Sequence, residues 1–124
     1  MLVLVQGLHS MEEYCGRLWA VFAPAKFLSG LISRNAERGF VIINYGLLIL
    51  GLVCWAIPIR SNYPVARGLI WFWIVIEMIN GIGHPALALY EGSYVPGVAT
   101  APVLLVLAVY LSYLLLRQRP GSDL

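Results

Sequence analysis

The chain has 124 residues, of which 60% are hydrophobic and only 11% charged. Soluble domains average roughly 45–50% apolar and about 25% charged residues, so composition alone points to a membrane protein with the lipid bilayer as its main partner. A formal net charge of +2, with arginines scattered at segment ends, excludes the concentrated basic face that a nucleic-acid partner requires.

The first segment, Met1 to Phe22, has the length of a span, but His9, Glu12, Glu13 and Arg17 lower its hydropathy. It is expected to insert only when packed inside a bundle, and its acids argue against an amphipathic helix lying on anionic lipid. It carries no basic leader region, so no cleavable signal is expected. The linker from Ala23 to Gly39 has Leu28, Leu31 and Ile32 at helical spacing, which predicts a short interfacial helix over about 26–34. Phe40 to Ile59 carries no charge and lies between Arg38 and Arg60. Gly68 to Tyr90 is a further span with Glu77 and His84 inside it. The last begins near Pro96 or Thr100 and runs to Leu116, where Arg117, Gln118, Arg119 and Pro120 stop it. Arg60–Arg67 and Glu91–Gly97 hold the Ser, Asn, Pro and Gly of turns.

The expected fold is all-α: a single domain, 1–124, forming a four-helix transmembrane bundle with spans at about 1–22, 40–59, 68–90 and 98–116. The polar first and third spans are expected to be adjacent, with the apolar second and fourth outside. Four spans place Arg60, Arg67, Arg117 and Arg119 on the side of both termini, against Lys26, Arg34 and Arg38 opposite. The positive-inside rule then favours cytoplasmic termini. Cys15 and Cys54, each in an apolar segment, are expected to be buried thiols and not a disulfide.

The chemistry lies in two polar stripes. At 100° per residue, His9, Glu12 and Glu13 share an arc of roughly 100°, bordered by Gln6, and Glu77, Asn80 and His84 share one of roughly 60°. An ionisable side chain within the hydrocarbon costs about 2.5–3.5 kcal/mol on insertion scales, so both stripes should turn inward and share a pocket. Asn80-Gly81-Ile82-Gly83-His84-Pro85 adds two glycines and a proline that removes one helical donor, which predicts a kink or break lining a cavity.

Imidazole and carboxylate ligands suit a transition metal: iron, manganese or zinc. The expected ligands are His9, Glu12, Glu13, Glu77 and His84, with Glu77 and Glu13 as catalytic bases and Asn80 as an orienting donor behind them. Helical bundles build metal sites from inward carboxylates and histidines, although their usual Glu-x-x-His spacing is reversed here. The same groups also suit metal-free acid–base chemistry, or a structural network such as Glu13 with Arg17 at i, i+4.

His9-Ser10-Met11-Glu12-Glu13 resembles the signature of the HXXEE family of small bacterial membrane proteins, and Asn80-Gly81-Ile82-Gly83-His84 resembles its second motif, Asn-x-x-x-His. The resemblance runs from His9 to about Leu116 and implies an integral protein of the bacterial cytoplasmic membrane. It brings no known activity with it. Three functions therefore stand beside one another. The first is a metal-dependent enzyme acting on a lipid-like substrate from the bilayer. The second is a metal-free isomerase or hydrolase. The third is a permease or accessory subunit, for which the second and fourth segments offer few polar groups. Oligomeric state is left open by the sequence.

Overall fold

The computed structural model describes residues 1–117. The chain is all-helical, and no strand occurs among the described residues. Its helices are α1 (Leu2–Cys15), α2 (Leu18–Val21), α3 (Ala23–Ile32), α4 (Ala36–Cys54), α5 (Ala66–Glu91) and α6 (Ala101–Arg117), with a π-helical turn Trp55–Ile59 extending α4. Two stretches are long and apolar enough to cross a membrane: Ala36–Ile59 and Ala66–Glu91. Gln118, Arg119 and Pro120, expected to stop the last segment, lie outside the described residues.

The helix expected over 1–22 is interrupted. Its first 14 residues form α1, about 21 Å long at 1.5 Å per residue. Gly16 then closes the helix, and Arg17 turns left-handed at φ 55° and ψ 50°. Only glycine fits at the break, because a Cβ on Gly16 would stand 2.5 Å from the ring carbons of Pro96. The same break removes the Glu13–Arg17 pair that stood as the structural alternative, since the i, i+4 rule presumes a continuous helix. Arg17 is exposed, and Glu13 turns inward. Cys15 is also exposed, contrary to expectation, whereas Cys54 is buried; both are free.

α3 covers most of the predicted linker helix and starts with Pro24 in its first turn, where the missing amide hydrogen costs no helical bond. α4 is capped by Asn35, whose side chain accepts from the Arg38 amide at 2.9 Å, with Glu37 in the favourable first turn. Pro58 sits inside the π turn. α5 runs unbroken through Pro85 to a left-handed Gly92 at φ 64°. The kink or break expected at Asn80–Pro85 is therefore not a break of the helix. Gly81 is there for close approach: a Cβ would lie 2.6 Å from Leu105 Cβ and 2.9 Å from its Cα, so α5 and α6 pack backbone to backbone. One missing hydrogen bond at Pro85 is absorbed by a helix held along its length by α6.

α6 does not stand outside the other helices, although Val103, Val106 and Leu116 on its far side face outward. Ala101, Leu104 and Ala108 have no exposed surface, and the helix packs against both α1 and α5. α1 also packs on α4, with Ser10 donating to Asn44 Oδ1 at 2.8 Å, while α3 lies on α4 where Gly39 meets the Ser29 backbone. One small cluster joins Leu18, Trp19, Phe40 and Val95; another joins Ile74, Ala108 and Leu115. Beyond these, large apolar side chains face outward on several helices, Leu4, Leu8, Ile49, Ile79, Val106 and Leu116 among them.

Candidate functional site

α1 presents Gln6, His9 and Glu13 on its buried face, spaced by three and four residues so that they stack along one side. α5 presents Glu77, Gly81 and His84 in the same way. The α5–α6 connection folds back over the end of the bundle, with Val95, Pro96 and Gly97 buried. These three elements make the site.

His9, Glu13 and His84 converge, each with a candidate ligand atom within 4.8 Å of the others. Glu13 Oε1 stands 3.4 Å from His9 Nε2 and 3.1 Å from His84 Nε2. The imidazole rings meet edge to face with centroids 4.8 Å apart. His9 has no exposed surface, and Glu13 and His84 are each more than nine-tenths buried. His9 Nε2 and His84 Nδ1 have no hydrogen-bond partner among the described residues. Gly97, at φ 97°, covers the pair; a Cβ there would lie 2.7 Å from His84 Cε1 and Nδ1 and 2.8 Å from His9 Cε1.

The neighbouring carboxylate faces elsewhere. Glu12 Oε1 accepts from Tyr94 Oη at 2.6 Å and the Ala99 amide at 3.0 Å. Its Oε2 accepts from the Thr100 amide at 2.9 Å and Thr100 Oγ1 at 2.6 Å. Glu12 therefore caps the amino-terminus of α6 from a different helix, where orphan amides and the helix dipole favour an anion. The hydrogen bond to this carboxylate pushes the Tyr94 phenol up to about 12. Glu12 reaches the histidines only through Thr100, whose Oγ1 is 2.8 Å from His9 Nδ1.

Glu77, with no exposed surface, lies two helical turns before His84, or about 10 Å along α5. With its amide nitrogen facing Glu77, Gln6 donates to both carboxylate oxygens at 3.1 and 2.8 Å. Asn80 donates to Oε2 at 3.3 Å. Of the residues expected to converge, His9, Glu13 and His84 form one group, Glu77 and Asn80 form a second with Gln6, and Glu12 joins the α6 terminus.

Three contributors escaped the sequence reading. Thr100 was taken only as a segment boundary, Gly97 only as turn chemistry, and Gln6 only as a border of the arc. The Pro96-Gly97 pair was the visible signal, since a glycine beside a polar span often marks close approach. A laterally open groove of about 640 Å³ separates α1 from α4, lined by residues including Val3, Gly7, Tyr14, Phe40 and Leu48. Its α1 residues centre roughly 150° around that helix from Gln6, His9 and Glu13, and the groove does not include the trio.

Fold and site thus define an all-helical protein with apolar outer faces and a buried histidine–glutamate centre. The chain belongs to the family described as a protein of unknown function with HXXEE motif, whose family model matches residues 1–111. Its motif is His9, Glu12 and Glu13, and the geometry gives the two glutamates separate partners. No curated protein matches the chain, and no solved structure does.

Proposed function

We propose that this chain is a four-helix integral membrane protein in which His9, Glu13 and His84 hold one transition-metal ion, iron, manganese or zinc, and that it acts as an enzyme on a hydrophobic, lipid-like substrate. The observation that carries the reading is the convergence of the three buried donors. Two ligands at about 2.0–2.1 Å from a tetrahedral ion lie about 3.3–3.4 Å apart, close to the 3.1 and 3.4 Å separations of Glu13 Oε1 from the two Nε2 atoms. Two histidines and one carboxylate leave a coordination position free, and a metal there supplies Lewis acidity and an acidified bound water.

The chain's own residues do the rest. Gly97 and the buried connection keep water from the imidazoles, and Gln6 with Asn80 holds Glu77 as a proton acceptor in the same interior. The outward apolar side chains support a lipid surrounding, and a substrate arriving from the bilayer needs no aqueous route. A second reading, metal-free acid–base chemistry, is favoured by one contact: Glu13 Oε1 is already at hydrogen-bond distance from His84 Nε2.

Elemental analysis of detergent-purified protein separates the two. Near-stoichiometric iron, manganese or zinc is the expected result, and none under non-chelating conditions selects the metal-free reading. For the membrane arrangement, single cysteines at Ser61 and Ser93, in a background lacking Cys15 and Cys54, are expected to label from opposite sides of sealed vesicles. Labelling of both from one side would overturn the four-span topology.

A further inference from the structure

We infer that Thr100, ordered by Glu12, is a positioning residue that fixes which nitrogen of His9 carries the proton. A threonine hydroxyl has one proton to donate. Thr100 Oγ1 has Glu12 Oε2 at 2.6 Å, His9 Nδ1 at 2.8 Å and, more distantly, the Gly97 carbonyl at 3.4 Å. Glu12 already accepts from Tyr94 and from the Ala99 and Thr100 amides, and three donors converging on one carboxylate favour its anionic, accepting form. Glu12 is therefore the acceptor, and Thr100 gives it the hydroxyl proton through the short charge-assisted bond.

The remaining lone pairs of Thr100 then face His9, so Nδ1 must be the nitrogen bearing hydrogen. Nε2 is left with its lone pair, buried, without a hydrogen-bond partner among the described residues and 3.4 Å from Glu13 Oε1. A cation or a proton shared between those two acceptors would relieve their contact. The first glutamate of the motif thereby acts on the histidine from outside the site, while the second shares the site with it. A partner on the far ring nitrogen is the usual device for fixing a metal-binding imidazole. That last step rests on the metal reading above; the proton order on His9 does not.

The test uses full-length, detergent-solubilised protein labelled with 15N-histidine, first free of metal at alkaline pH, where imidazole is neutral. Wild-type His9 is expected to show the Nδ1–H tautomer. Thr100→Val, nearly isosteric, should lose that preference and Thr100→Ser should restore it. Should Thr100→Val fail to fold, Glu12→Gln reads the same point, because its amide can donate to Thr100 and reverse the order. Zinc titration of the same proteins should show affinity roughly 10–100-fold weaker in Thr100→Val and recovered in Thr100→Ser. A wild-type proton on Nε2, or a Thr100→Val protein unchanged in tautomer, overturns the inference. The expected tautomer with no zinc bound leaves the positioning role standing and removes the metal centre. Zinc bound by wild type with the proton on Nε2 does the reverse.

Discussion

On the proposed metal reading, Glu13→Gln is expected to abolish metal binding, whereas Glu12→Gln is expected only to weaken it. Glu13 Oε1 is the atom between two imidazole nitrogens, at 3.4 and 3.1 Å. An amide in its place offers at best a neutral oxygen, and the charge that a buried divalent ion needs is gone. Affinity should fall by more than the roughly 10–100-fold typical of losing a group behind a ligand. Glu12 is such a group, acting through Thr100, and its removal falls within that range. The stability effects should run the other way. Glu12 accepts two amides and two hydroxyls at the start of α6, and losing a helix cap costs about 1 kcal/mol. Metal content per protein and thermal unfolding of both variants, with His84→Ala as a ligand-loss reference, measure the contrast. Equal metal loss in the two glutamine variants would show that the carboxylates share one role.

Gly97→Ala should be the most damaging single-methyl change in the connection between α5 and α6. Two costs coincide. A side chain at φ 97° is strained, on the order of 1–3 kcal/mol, and its Cβ would lie within 2.8 Å of both imidazoles. Relief requires moving the rings or the connection, at a further cost of about 1–3 kcal/mol for an overpacked interior. Gly92→Ala is the matched control, because Gly92 is also left-handed, at φ 64°, but a Cβ there meets nothing within 4 Å. It should cost only the conformational penalty, about 1–2 kcal/mol, and leave metal binding intact. Comparable unfolding midpoints and metal content in the two variants would mean that Gly97 does not press on the histidines.

Much of this molecule is determined by local sequence. The apolar segments, the turns between them and the linker helix follow from composition and spacing, because a helix buries or exposes residues with a period the sequence displays. The stripes His9–Glu13 and Glu77–His84 were visible for the same reason: a helix turns residues three, four or seven apart to one side. That His9, Glu13 and His84 lie on inward polar faces could therefore be read without a structure.

Which of two adjacent glutamates enters the histidine site could not. Glu12 and Glu13 differ by only about 100° around α1, and either could face the histidines. The choice is made by the start of α6, which brings two amides and a hydroxyl to Glu12 from 87 and 88 residues away. The alternative Glu13–Arg17 pair fails for a related reason: helical spacing holds only while the helix does, and α1 ends at Cys15. Gly81 read as a weakness in α5 because intrinsic propensity cannot anticipate the backbone of Leu105 against it. Local periodicity decided which faces are polar. Tertiary packing alone decided which polar groups meet, because those encounters depend on how close separate helices can come.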